Sequence, residues 1–108
     1  MIFFAMKKHH FFCRLIPPRP TFAMDMSAEE RAVMQQHVGY FTEHFRAGRV
    51  LIFGPVLAAA GAYGMGVIEA ADEAEVHQFF ADDPSVKAGL NTYDVSPMRV
   101  GASRALET

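Results

Sequence analysis

Residues 27–55 decide the fold, and they read S-A-E-E-R-A-V-M-Q-Q-H-V-G-Y-F-T-E-H-F-R-A-G-R-V-L-I-F-G-P. Apolar and aromatic side chains recur at helical spacing through most of this stretch, which predicts one long amphipathic helix. Ser27 and Glu30 form a capping box at its start, and Gly48 supplies a left-handed stop at its end. A short strand, 50–53, follows and closes at a Gly-Pro corner. Because this strand is wholly apolar, we expect it in the centre of the sheet.

One face of the predicted helix carries a histidine among aromatic side chains. At 100° per residue this face holds Val33, His37, Tyr40, Phe41, His44 and Gly48. His37 lies near the middle of the face that should pack on a sheet. A titratable side chain in that position is either a hydrogen-bonded core histidine or the base of a pocket. The residues alone leave both interpretations open.

Length and composition favour one domain with one core. The chain has 108 residues, of which 51% are hydrophobic and ten are phenylalanine. A net charge of −2 with mixed signs predicts no nucleic-acid partner. No stretch approaches the roughly 20 apolar residues of a membrane span, so we expect no membrane partner. Cys13 is the single cysteine, which excludes an intrachain disulfide and a cysteine-based zinc site and favours the cytoplasm.

The chain divides into three parts. Residues 1–7 are predicted to be an N-terminal extension, with Met6 followed by two lysines as an alternative translation start. Residues 8–100 form the single domain. Residues 101–108 show no apolar period and are predicted to form a flexible tail.

The remaining elements complete a β-α-β-β-α-β order. We predict strands over 9–16, 63–70 and 92–100, a loop over 19–26, a second helix over 72–81, and a short helix that starts at Pro84, is capped by Asp83 and stops at Gly89. This order predicts an α+β, ferredoxin-like fold, with a four-stranded antiparallel sheet and both helices on one face. Strands one and three carry apolar side chains on both sides. We therefore expect the open face to be buried in a homodimer.

Five side chains are candidates for a site. His37 is the candidate general acid or base. Asp83 is either the cap of the helix at Pro84 or a carboxylate that orients His37. Arg19, displayed between prolines, is a candidate clamp for an anionic substrate. Ser85 and Tyr93 are candidate polar groups of a pocket.

The sequence contains no spacing typical of a metal or phosphate site. The other histidines, at positions 9, 10, 44 and 77, match no ligand pattern, and H-E-x-x-H is absent. The glycines near position 64 do not open a helix, which a phosphate-binding loop requires. We therefore predict a function without a metal or cofactor.

Four motifs in register resemble the YCII-related family of small α+β proteins. They are P-P-R-P-T-F from Pro17, H-V-G-Y-F from His37, G-R-V-L-I-F-G-P from Gly48 and D-D-P from Asp82. The resemblance covers about residues 8–100. It implies a ferredoxin-like dimeric α/β barrel, dehydrochlorinase-like activity, and an active-site pair formed by His37 and Asp83. Ser85 departs from the family pattern, in which an aromatic residue often follows Asp-Pro.

Three functional hypotheses follow. The first is a metal-free lyase or isomerase that uses His37 and Asp83 for general acid/base chemistry on a small, aromatic or lactone-like substrate. The second is a binding or accessory protein with the same pocket and no turnover. The third is a purely structural hydrogen bond between the two side chains. A cavity that touches the pair would favour the first two hypotheses.

Overall fold

A computed structural model describes residues 8–106. Its elements are β1 (His9–Ile16), α1 (Phe22–Asp25), α2 (Ala28–Arg46), β2 (Val50–Val56), β3 (Tyr63–Ala70), α3 (Glu73–Ala81), α4 (Pro84–Lys87) and β4 (Thr92–Met98). The extension predicted for residues 1–7 lies outside the described residues. Residues 101–106 contain no helix or strand. Within the described part of the chain, no helix has both the length and the apolar content needed to cross a bilayer.

The four strands form one antiparallel sheet in the order β2-β3-β1-β4. This arrangement, with α2 and α3 packed on the sheet, confirms the α+β, ferredoxin-like prediction. The central position expected for β2 is wrong, because β1 and β3 occupy the centre and β2 forms an edge. Leu51 and Ile52 are accordingly 37% and 44% exposed, and the register shifts between Val50 and Ile52, as is common at edges.

The predicted loop over 19–26 contains a short helix, α1. Phe22 is 4% exposed, and its backbone N–H donates to the carbonyl of Arg19. Burial of this one aromatic side chain folds the segment back on the core, whereas the prolines before it indicated only an irregular connection.

The ends of α2 agree with prediction. Ser27 and Glu30 exchange both bonds of the capping box, and Gly48 has a φ of 85°.

Gly66 of β3 allows α2 to lie close to the sheet, because a Cβ atom there would stand 3.3 Å from Cε2 of Phe41. A Cβ atom on Gly64 would instead stand 3.2 Å from Cβ of Leu15 on the neighbouring strand β1. Phe41 on α2 is buried and packs against the rings of Phe53 and Phe79. The absence of a side chain at Gly66 therefore determines how closely this part of α2 approaches the sheet.

The face of the sheet opposite α2 and α3 is largely apolar at its centre. Phe12 and Val67 pair across β1 and β3, and Ile52 of β2 pairs with Val67 on the same face. Polar side chains flank this centre, where Nε and Nη2 of Arg14 both donate to the carboxylate of Asp94. None of the described helices covers this outer face.

Candidate active site

A cavity of about 230 Å³ lies between α2 and the sheet. Most of its wall is apolar or aromatic. The lining residues from the first half of the chain are Cys13, Leu15, Pro17, Phe22, Met34, His37, Val38, Phe41 and Phe53. The lining residues from the second half are Gly54, Pro55, Ala62, Tyr63, Gly64, Met65, Gly66, Phe80 and Asn91. No Lys, Arg, Asp or Glu among the described residues belongs to the lining.

His37 brings a titratable ring to this apolar wall. It is 8% exposed, and its ring packs on Phe41 with the centroids 4.7 Å apart. Its Nδ1 atom lies 2.9 Å from Oδ2 of Asp83. The helical spacing of α2 places His37 on the buried face, and the stop before Pro84 places Asp83 opposite it.

The two carboxylate oxygens of Asp83 bind different partners. Oδ1 caps α4, since it accepts hydrogen bonds from the backbone N of Ser85 at 2.8 Å and from the Ser85 hydroxyl at 2.9 Å. Oδ2 accepts from His37. Asp83 and Ser85 are both fully buried. The helix cap and the histidine partner, which the sequence left as alternatives, therefore occur together.

The hydrogen bonds determine which ring nitrogen of His37 carries the proton. A carboxylate only accepts hydrogen bonds, so Nδ1 must donate to Asp83. In the neutral ring this leaves a lone pair on Nε2, which no described residue engages. His37 belongs to the cavity wall, and Nε2 is the ring nitrogen that Asp83 leaves free.

The structure does not bring Arg19 to the cavity wall. Its guanidinium donates to Asp25 Oδ1 at 2.8 Å and to Glu30 Oε1 at 2.8 Å. These bonds raise the pKa of Arg19, and the Arg19 guanidinium is the chief cause that lowers the pKa of Glu30 to about 2. The predicted clamp is therefore engaged at the start of α2.

Tyr93 also lies outside the lining. Its ring stacks on Phe80 with the centroids 4.3 Å apart, and its hydroxyl lies 2.7 Å from Nδ1 of His77. Of the predicted polar pocket groups, Ser85 alone supports the pair, through Asp83. Ser85 is likewise absent from the lining, and a ligand contact by Arg19, Ser85 or Tyr93 stays a prediction.

A family model for the YCII-related domain matches residues 10–99. The chain belongs to the YCII-related family. Among solved structures, it is similar to the 5-chloro-2-hydroxyhydroquinone dehydrochlorinase of Burkholderia phenoliruptrix AC1100, in complex with 2,5-dihydroxybenzoquinone. The TM-score is 0.63 at 25% identity, with coverage of 84% of this chain and 95% of that chain. No curated protein matches the sequence.

The sequence interpretation missed one polar residue in the cavity wall of this YCII-related protein. Asn91 follows Gly89, whose φ of 71° ends the α4 turn, and precedes β4. It is 3% exposed, and its Nδ2 donates to Met34 Sδ at 3.2 Å. An asparagine between a glycine and a strand is typical of a turn, so no pattern indicated its burial.

Cys13 also lines the cavity of this YCII-related protein. Burial, with smaller contributions from Asp94 and Glu73, raises the pKa of its thiol from 9.0 to about 12. The neutral thiol therefore behaves as part of the apolar wall.

A second histidine of this protein, His44, lies further along α2, beside a smaller hollow of about 160 Å³. Arg49 Nη1 donates to His44 Nδ1 at 2.7 Å. Burial, reinforced by the Arg49 charge, lowers the pKa of His44. Within residues 8–106, no group of three or more His, Cys, Asp or Glu side chains could hold a metal ion. A cofactor-free function stays a prediction.

Proposed function

We propose that this YCII-related protein is a proton-transfer lyase or isomerase in which His37 is the general acid and base. The observation that carries the proposal is the ring of His37, held by the buried Asp83 on one side and present in an apolar cavity wall on the other. Asp83 orients the ring and stabilises the imidazolium that forms when Nε2 takes a proton.

The proposed reaction starts from a substrate ring that carries hydroxyl groups. Nε2 of His37 takes a hydroxyl proton, the O–H electron pair forms a C=O bond, and the displaced ring electrons take up a proton from His37 at a ring carbon. That sequence is an isomerisation. Where the carbon carries chlorine, removal of a second hydroxyl proton expels chloride with the electron pair of the C–Cl bond. The net loss is then HCl, and the overall reaction is that of a lyase.

The size and charge of the cavity support a small, uncharged substrate. An apolar protein cavity of about 150 Å³ holds benzene, so a cavity of about 230 Å³ has room for one substituted ring. Because no Lys or Arg side chain reaches the lining, an anionic group would lack a fixed partner. The neighbouring dehydrochlorinase, named for a chlorinated trihydroxybenzene, supports a substrate of this size.

The test is release of chloride from 5-chloro-2-hydroxyhydroquinone by wild-type protein and two variants. We expect His37→Gln to lower kcat/KM by roughly 10²- to 10⁴-fold, which is the usual contribution of a general acid or base. His44→Gln is the matched control, because His44 lies on the same helix and outside the cavity lining. It should retain wild-type activity.

Other outcomes separate the alternatives. If His37→Gln and wild type release chloride equally, the proposed role of His37 is wrong. If the probe binds in the cavity and is recovered unchanged, with no isomer formed, the chain is a binding protein. If His37→Gln and Asp83→Asn each lose stability and neither loses ligand affinity, the pair is structural.

A homodimer through the outer sheet face belongs to the same proposal. Ile52 is 44% exposed, and with Val67 and Phe12 it continues an apolar surface that a second copy would cover. Ile52→Glu should shift the sedimentation coefficient from dimer to monomer, because it places a charge in the contact. Met24→Glu is the control, since Met24 is 91% exposed on α1. Equal sedimentation of the two variants would contradict this interface.

A further inference from the structure

Asn91 has a buried acceptor that the described part of the chain leaves unpaired. Its backbone N–H donates to the carbonyl of Ser85, and its side-chain Nδ2 donates to Met34. These two bonds tie Asn91 to α4 on one side and to α2 on the other. Oδ1 is buried, and no residue between 8 and 106 donates to it.

The contact with Met34 determines which end of the amide is unpaired. A thioether sulfur is only a weak acceptor, so the amide N–H lies on it and the carbonyl oxygen faces away. A buried acceptor without a partner costs about 1–3 kcal/mol, so such a group in a native protein calls for a partner such as a bound water, an ion or a ligand. Asn91 belongs to the wall of the same cavity of about 230 Å³ that also contains His37.

We propose that Oδ1 of Asn91 accepts a hydrogen bond from a second hydroxyl group of the substrate. This inference rests on the proposed function, in which a first hydroxyl meets Nε2 of His37. It narrows the substrate class to uncharged single rings with at least two hydroxyl groups. Asn91 is then a specificity-determining residue, because a ring without the second hydroxyl leaves Oδ1 unpaired.

The experiment compares the binding of phenol, catechol, resorcinol and hydroquinone by calorimetry under anaerobic conditions. We expect wild-type protein to bind at least one dihydroxybenzene roughly 2- to 10-fold more tightly than phenol, which is the usual value of one neutral hydrogen bond. Asn91→Leu should remove this preference and leave the affinity for phenol unchanged. Its Tm should equal or exceed that of wild type, because the substitution removes the unpaired acceptor.

Gln35→Leu is the matched control. It makes the same change from a side-chain amide to leucine at an exposed position of α2 outside the cavity lining, so the preference for the dihydroxybenzene should persist. The inference is wrong if wild type shows no preference, if Asn91→Leu retains the preference, or if Asn91→Leu weakens phenol and the dihydroxybenzenes equally. It is also wrong if no dihydroxybenzene binds in the millimolar range.

Failure of the proposed catalysis gives a different result. If the preference depends on Asn91 and yet the protein forms no product from any hydroxylated ring, the binding role of Asn91 stands and the catalytic role of His37 falls. Conversely, chloride release that depends on His37 but shows no dependence on Asn91 overturns only the inference about the second hydroxyl.

Discussion

His37 and His44 lie two turns apart on the same face of α2, and their surroundings oppose each other. His37 donates from Nδ1 to a buried carboxylate, whereas His44 accepts at Nδ1 from the guanidinium of Arg49. In the neutral form the two rings therefore carry their proton on different nitrogens. His37 belongs to the larger apolar cavity, and His44 borders the smaller hollow.

This comparison shows that residue type and helical face do not distinguish a candidate base from a structural histidine. The partner of Nδ1 distinguishes the two, because a carboxylate stabilises the positive charge of an imidazolium and a guanidinium destabilises it. The lowered pKa of His44, caused first by burial and then by Arg49, is consistent with this difference.

The largest effect is expected from Asp83→Asn. Asparagine also caps helices, so its oxygen can keep the two bonds with Ser85, while its NH₂ group faces Nδ1 of His37. The proton of the neutral His37 ring then moves to Nε2, and the cavity loses its proton acceptor. We expect activity to fall by about 10²- to 10⁴-fold. The ¹⁵N shifts of His37 should report the exchanged tautomer, and those of His44 should not move. Unchanged shifts at both rings would contradict the assigned tautomer.

A smaller effect is expected from Gly66→Ala, which acts on the His37 end of α2 through Phe41. The new Cβ would stand 3.3 Å from the Phe41 ring, which packs against His37. Overpacking of this kind costs about 1–3 kcal/mol, measured as the free energy of unfolding in urea. Gly54→Ala is the control, because its Cβ would meet no atom within 4 Å. Equal stabilities of the two variants would show that Phe41 moves freely.

The smallest effect is expected from Arg49→Met, which removes the partner of His44 Nδ1. In the folded protein the pKa of His44 lies below its ordinary value of 6.5. As the pH falls, His44 of the unfolded chain therefore takes up a proton at a higher pH than His44 of the folded chain. His44 therefore lowers the free energy of unfolding as the pH falls below 6.5. Without Arg49 the pKa should rise towards 6.5 and this loss should shrink. Urea unfolding at about pH 7 and about pH 5.5 measures it, with Arg46→Met as the control for net charge. Equal losses in the two variants would contradict a role for Arg49.

Local patterns predicted the elements because their causes are local. The capping box of Ser27 and Glu30, the glycine stop, and the period that buries His37 each lie within one helix. The edge position of β2 follows instead from strand order, which no property of Leu51 or Ile52 encodes. An apolar run was therefore read as central although it lies at the edge.

The site was predictable only in part, for the same reason. His37 and Asp83 are 46 residues apart, and the spacing of the sequence does not show that they meet. Their pairing came from the family resemblance. Arg19 was predicted to be a clamp because it stands between prolines, and no local pattern showed that Asp25 and Glu30 would bind it. The burial of Asn91 depends on contacts with α2 and α4, so it left no trace in the local pattern.

Because the two oxygens of Asp83 have different partners, position 83 tolerates mutation poorly. Each oxygen has a separate duty, so a substitution at position 83 acts on the α4 turn and on His37 together. Serine or asparagine would preserve the turn, but neither supplies a second anionic oxygen to the ring. A serine or an asparagine at position 83 would therefore keep the turn and lose the anionic partner of His37, so each of these substitutions retains only one of the two roles.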